Sequence, residues 1–466
     1  MIKLLYNRMF RDGLDGKHGL ERNRIQELSG RFRAVQAEVR RRREAGEYGF
    51  YKLVDQQPTV RTIKTFAEGL GQAHDHVLVL GIGGSALGTK ALLNALRPPA
   101  WNELDDEGRD FFPRLTVLEN IDPTSVAAAL DRIDPRRVLV NVISKSGGTA
   151  ETMAQYLVVR AWLEQALGAA AYRHLVFTTD PNRGALRELA QRDHIATLDV
   201  PPEVGGRFSV LSPVGLLPAA LVGIDIDGLL DGARRALERS ESDELLRNPA
   251  GLYAALHYDA DTSRGARVHV LMPYTDRLRE FAEWYRQLWA ESLGKRSDRE
   301  GRTVHLGPTP VGAIGATDQH SQVQLFMEGP YDKAITFITV DDFGVEVEIP
   351  RLTTVSGAGP ALPADLEYLP GHTLGDLLRA EYAATSAALA QMGRMNCTLR
   401  FPDLTAPTIG EAIMFFQLAT GYAGVWYGID PFDQPGVELG KRLTYAAMGR
   451  HGYEPVQTSS VSTDEV

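Results

Sequence analysis

At 466 residues the chain is too long for one ordinary hydrophobic core, so two domains with additional helices are expected. Its 44% apolar and 24% charged residues argue against wholesale disorder, and with a net charge of −10 nothing suggests nucleic acid as a general partner, leaving any anionic ligand to a local site that works against the overall field. The single cysteine, Cys397, excludes an intrachain disulfide, and no apolar stretch reaches the length of a membrane span, so a cytoplasmic protein is expected.

Along the chain, residues 22–44 read as a helix with a basic end, Arg41–Arg43, that fits a solvated face better than an anion site. A short apolar run, His76 to Leu80, ends in Gly81-Ile82-Gly83-Gly84-Ser85 and leads into helix-like sequence. Arg114 to Leu118, Arg137 to Ile143 and His174 to Thr178 repeat that grammar, and strands alternating with helices predict α/β architecture with mainly parallel sheets. The segment 226–262 is charged and helical and is expected to join two halves. A second series then begins, with Arg267 to Met272 and Ala334 to Val340 as strands and 372–392 and 409–426 as helices. The Ser/Thr-rich end, 456–466, is expected to fray.

Two strand-to-helix loops carry the chemistry. The first, Gly81 to Ala86, satisfies G-x-G-x-x-[GA], so a nicotinamide-dependent dehydrogenase is one reading. The ribose-binding acid that such a site needs about 20 residues on falls in the loop-like Trp101–Asp105, and Glu119 lies well beyond it, which counts against this reading. The second loop is Ser144-Lys145-Ser146-Gly147-Gly148-Thr149-Ala150-Glu151-Thr152. Hydroxyls and free N–H groups at a helix start surround the oxygens of a phosphate monoester. Helix capping would need one such hydroxyl rather than Ser144, Ser146, Thr149 and Thr152 together. The Walker spacing is absent. His74-Asp75-His76 is the only close histidine pair and reads as a strand entrance, so no metal site is expected.

The 144–152 loop resembles the phosphate loop of sugar isomerase (SIS) domains, and GIGGS at 81–85 resembles the glycine loop of the phosphoglucose isomerase family. Further segments match that family in order: GGRFSVLSPVGLLPAAL at 205–221, FAEWYRQLWAESLGK at 281–295, GATDQHSQ at 315–322 and FDQPGVELGK at 432–441. The resemblance spans about residues 45–445. It implies two SIS-type doubly wound domains, 49–225 and 226–430, between an N-terminal helical segment (1–48) and a C-terminal helix and tail (431–466). It also implies the interconversion of glucose 6-phosphate and fructose 6-phosphate through a cis-enediol, without a cofactor, in glycolysis and gluconeogenesis, by a homodimer. The chain departs from many family members at Gly147-Gly148, in the manner of the S-x-S-G-x-T form of other SIS proteins.

Moving a carbonyl between C1 and C2 requires a base, a cation for the enediolate and acid–base groups for ring opening. Glu291 lies within about 20° of Trp284 on a helical projection and one turn from Leu288, so this apolar stripe would desolvate it into a stronger base; the bland alternative is a helix-end pair with Lys295. The resemblance makes Glu291 the proton carrier. Arg207 follows Gly205-Gly206, where close backbone approach and a fixed guanidinium suit the enediolate; the resemblance assigns it that role and sets Gly206 beside the substrate. His320 precedes a helix-like stretch whose start would favour a neutral imidazole; the resemblance gives it ring opening, from the neighbouring subunit. By resemblance Lys441 assists ring opening, Gln434 contacts phosphate, Glu151 touches the reacting end of the sugar, and Gly84, Ser85 and Lys145 line the substrate site. Two other readings stay open: an isomerase that also accepts mannose 6-phosphate, and a non-catalytic sugar-phosphate sensor, which would not need Glu291, His320, Arg207 and Lys441 together.

Overall fold

A computed structural model describes residues 1–69, 73–352 and 362–454; the expectation for 456–466 lies outside the described residues. The first sheet holds five parallel strands in the order Arg114–Leu118, His76–Leu80, Val138–Ser144, Leu175–Thr179, Ala196–Asp199. Every residue of its central strand VLVNVIS is buried, as expected where helices cover both faces of a parallel sheet. The chain order reverses between His76–Leu80 and Val138–Ser144, which pair directly. The carboxyl ends of these two neighbours open a crevice, and the two loops singled out above leave from them.

The second sheet runs Lys3–Leu5, Asn396–Phe401, Lys333–Val340, Val268–Pro273, Thr309–Gly312. Four of its strands are parallel. The fifth, Lys3–Leu5, pairs antiparallel with Asn396–Phe401 and closes an otherwise open edge. Three residues are too few for a strand to show in sequence periodicity, so the N-terminal segment contributes both this strand and the expected helix, Arg24–Glu44.

One continuous hydrophobic core joins the sheets: it takes Val77, Val79 and Leu139 from the first, and Leu271, Ile338 and Leu399 from the second. Through it runs Ala406–Tyr427, a helix buried nearly all round. It lies against Ile226–Arg239 at backbone contact, because a Cβ on Gly232 would run into the Pro407 carbonyl and one on Gly410 into that of Leu229. Smaller cores cover the outer faces, one around Tyr156 and Phe177, the other around Tyr274 and Phe337. The segment 226–262, expected as a connector, is thus part of the packed interior: Ile226–Arg239 and Pro249–Arg264 both present broad buried faces.

Candidate active site

The loop after Val138–Ser144 is built so that its hydroxyls face one another. Gly147 turns at φ +65°, and Ser144 Oγ and Ser146 Oγ lie 3.1 and 3.3 Å from Thr149 Oγ1. Thr149 stands at the N-cap of Ala150–Leu167, yet its side chain makes no capping bond. The first N–H groups of that helix are therefore left for an anion, with the helix dipole behind them. Opposite lies the C-terminal helix Glu438–Ala447, and between them is a cavity of about 310 Å³ lined by Ser146, Thr149 and Glu151 on one wall and Lys441, Thr444 and Tyr445 on the other.

Two residues of the loop are placed differently from expectation. Lys145 is turned away, its ammonium donating to the carbonyls of Pro202 and Val204 at 2.6 and 2.8 Å. Burial draws its pKa below the ordinary lysine value. Thr152 is buried inside the first turn of the helix rather than on the cavity wall. In both cases the density of hydroxyls in the sequence could not say which way each side chain turns.

The glycine loop supplies the link to the second half of the site. Gly83 adopts φ +57° directly beneath the Gln287 amide, and a Cβ on Gly84 would overlap the Gly206 carbonyl. Glycine at 84 is what lets the loops at 81–85 and 205–207 meet. Ser85 closes the short turn Gly83–Ser85 and is partly exposed.

Beyond that contact lies Arg207, with a side chain only 2% exposed. It donates to Ser292 Oγ (2.7 Å), Gln434 Oε1 (2.9 Å) and the carbonyls of Pro431 (2.6 Å) and Asp433 (3.0 Å), and it pairs with Glu291 Oε1 at 3.2 Å. Burial draws its pKa below the usual arginine value, while Glu291, Asp433 and Asp430 oppose that shift. Glu291 lies on Arg279–Leu293, whose Trp284 and Leu288 face the core. Its second oxygen, Oε2, accepts from Gln287 Nε2 at 3.0 Å, one helical turn back. The desolvation expected for Glu291 is not what the structure shows: its side chain is 25% exposed, and what holds it is a buried cation and an amide rather than the apolar stripe. Lys295 makes no side-chain pair with it; its ammonium donates to the Glu291 main-chain carbonyl instead.

Gln287 was missed in the sequence, although its i, i+4 spacing to Glu291 was a signal. Lys441, on the C-terminal helix, faces the cavity and pairs with Glu438 at 2.8 Å. His320 is not brought to this group. It ends the exposed turn Thr317–His320, makes no side-chain hydrogen bond or ion pair with the described residues, and does not line the cavity. The helix expected to start beside it begins only at Val323 and runs to Glu328. His76 begins its strand and bonds Thr116 at 2.9 Å, in keeping with a strand entrance. Glu119, the acid a dinucleotide site would have to use, is held by Lys90 at 2.5 Å.

The family model described as phosphoglucose isomerase matches residues 59–463. The chain is similar to the glucose-6-phosphate isomerase of Carboxydothermus hydrogenoformans, with 44% identity over 97% of this chain and 96% of that protein. It is also similar to that of Rubrobacter xylanophilus, with 45% identity over 95% and 98%. Among solved structures, a hypothetical protein from Thermus thermophilus superposes with a TM-score of 0.83 at 36% identity, covering 96% of this chain and 100% of the other.

Proposed function

The chain belongs to the phosphoglucose isomerase family, and from that premise we propose that it catalyses the reversible isomerisation of glucose 6-phosphate and fructose 6-phosphate through a cis-enediol. The observation that carries the chemistry is the Glu291 carboxylate, held between the buried Arg207 at 3.2 Å and Gln287 at 3.0 Å. A base fixed at both oxygens can move one proton between C1 and C2 with little loss to misalignment. Arg207 stands beside it as the positive charge toward which the enediolate oxygens develop. The hydroxyls of Ser144, Ser146 and Thr149, with the open N–H groups at the start of Ala150–Leu167, hold the phosphate. Gln434, whose Oε1 is occupied by Arg207, keeps its NH₂ free to donate to the same group.

Ring opening falls to Lys441, on the cavity wall, and to His320, supplied by a second copy of the chain in a homodimer. The exposure of His320, whose ring has no hydrogen-bond or ion-pair partner among the described residues, supports that division. Glu151 meets the reacting end of the sugar, and Gly84, Ser85 and Gly206 bring backbone close to it. The domains divide at 48/49, 225/226 and 430/431, and the enzyme works in the cytoplasm, in glycolysis and gluconeogenesis. Among the described residues no helix is long and apolar enough to cross a membrane.

The test is direct. Purified protein is given fructose 6-phosphate, and glucose 6-phosphate is followed through a coupled dehydrogenase, with and without chelator. Turnover is expected to resist chelation and to fall by about three orders of magnitude in Glu291→Gln, the range that general-base catalysis supplies. A Glu291→Gln protein as active as its parent removes Glu291 from the role of base, and sugar-phosphate binding without turnover makes the protein a sensor.

A further inference from the structure

We propose that Lys295 is a positioning residue for the isomerisation: it pins the end of the helix that carries Glu291 to the turn that carries Gln434. Lys295 follows Arg279–Leu293 and Gly294 and opens the hairpin strand Lys295–Ser297, which pairs with Thr303–Leu306. Its backbone is confined on both sides. It pairs with Leu306, and a Cβ on Gly307 would sit 2.7 Å from Gly294 Cα, so the hairpin presses on the helix end.

The side chain turns inward and is 5% exposed. Its ammonium donates to the Glu291 carbonyl at 2.9 Å and the Asp433 carbonyl at 2.7 Å, and it pairs with Asp433 Oδ1 at 3.2 Å. The Glu291 carbonyl belongs to the last turn of its helix, where acceptors run out of N–H partners and a cation is favoured by the dipole. The Asp433 carbonyl also takes a bond from Arg207 at 3.0 Å. Two buried cations thus share one acceptor: Arg207 reaches the carboxylate of Glu291, and Lys295 reaches its main chain. Asp433 precedes Gln434, and the same turn leads into the helix bearing Lys441. Burial draws the Lys295 pKa below its ordinary value, with Arg207 adding to the effect and Asp433 opposing it.

Without Lys295 the carbonyls of Glu291 and Asp433 lose their common donor, and the base is free to shift against Arg207. Misplacement by about 1 Å costs on the order of 100-fold in rate. Phosphate binding rests mainly on the 144–152 loop, and Gln434, its one contact on the pinned turn, is still held by Arg207, so the larger loss falls on the rate. This inference depends on Glu291 being the base, and the parent protein and Glu291→Gln test that point separately.

The experiment compares Lys295→Met, Lys295→Arg and Lys295→Gln with the parent in the coupled assay. Inorganic phosphate serves as competitive inhibitor, and thermal unfolding is measured on each protein. For Lys295→Met, kcat is expected to fall about 10- to 100-fold, with KM and the phosphate inhibition constant within about twofold of the parent. Incorporation of solvent deuterium at C2 of glucose 6-phosphate should fall in step with kcat. Lys295→Arg, which keeps a cation able to reach both carbonyls, should recover most of the rate. The proposal is overturned if Lys295→Met keeps the parental kcat, if KM rises at unchanged kcat, or if the lost activity equals the lost folded fraction. Should Lys295→Met not fold, Lys295→Gln decides: its shorter amide reaches at most one of the two carbonyls, so a kcat reduced about threefold or more at constant KM supports the pin, and parental kinetics overturn it.

Discussion

At the scale of single residues, the site is a set of side chains each held by something other than substrate. Glu291 is fixed by Arg207 and Gln287, Arg207 by Ser292 and three partners from 431–434, and Thr149 by two serines. Such pre-organisation lowers the cost of ordering the groups when the sugar phosphate arrives. Thr149→Val removes the hydroxyl on which Ser144 and Ser146 converge while keeping its volume. A hydrogen bond to a charged group contributes about 1.5–3 kcal/mol, so KM is expected to rise roughly 10- to 100-fold with a smaller change in kcat, read in the coupled assay at varied fructose 6-phosphate. The residue types were legible here: hydroxyls crowd at 144–152 by spacing, while the role of Arg207 after Gly205-Gly206 came from the family resemblance. Side-chain direction was not. Lys145 and Thr152 sit within the same nine letters as Ser146, and only the packing of neighbouring segments turned them away.

At the scale of elements, the helix that carries Glu291 also carries Trp289, and its inner face rests on two buried histidines. Trp289 Nε1 donates to His269 Nδ1 at 2.9 Å, which requires that nitrogen to remain unprotonated. His257, on Pro249–Arg264, shares the Thr336 hydroxyl with Tyr253. Burial draws the His257 pKa down to about 4 from 6.5 and holds that of His269 well below its ordinary value. An unfolded chain protonates these rings near pH 6.5, so their contribution is complete above that pH. It is lost as pH falls from about 6.5 towards 4, because over that window the unfolded state binds the protons. For His257 alone the loss is on the order of 3 kcal/mol. Urea midpoints measured at pH 7.5 and pH 5 should therefore drop markedly, and His257→Gln should flatten that dependence. A slope unchanged in the variant assigns the acid sensitivity to other groups.

For the whole molecule, the crevice arises where the first sheet reverses strand order; the second half of the chain brings Lys441 to its wall and gathers Glu291 and Gln434 on Arg207, beside the Gly84–Gly206 contact. His320 stands outside that assembly, so the proposed homodimer has a test of its own. His320→Ala and Glu291→Gln proteins, each inactive, are mixed, dissociated and reassembled. If His320 serves the neighbouring subunit, each mixed dimer holds one site with both residues intact. An equal mixture then recovers about a quarter of parental activity. If His320 serves its own chain, neither site of a mixed dimer is complete and nothing is recovered.

By itself the sequence determined the alternating strand–helix order, the two glycine-bearing strand-to-helix loops and, through six ordered motifs, the family. These are local properties: period, turn chemistry and residue type within a few positions of one another. Only the tertiary structure decided that Gly84 meets Gly206, that Arg207 reaches Ser292, Glu291 and Gln434 at once, and that Lys295 bonds main chain rather than the Glu291 side chain. Each of those contacts joins segments far apart in the chain or depends on which way a buried cation turns. Burial leaves a guanidinium or ammonium no water to bond, so it takes whatever oxygens the fold places within reach, and no spacing in the sequence records which those are.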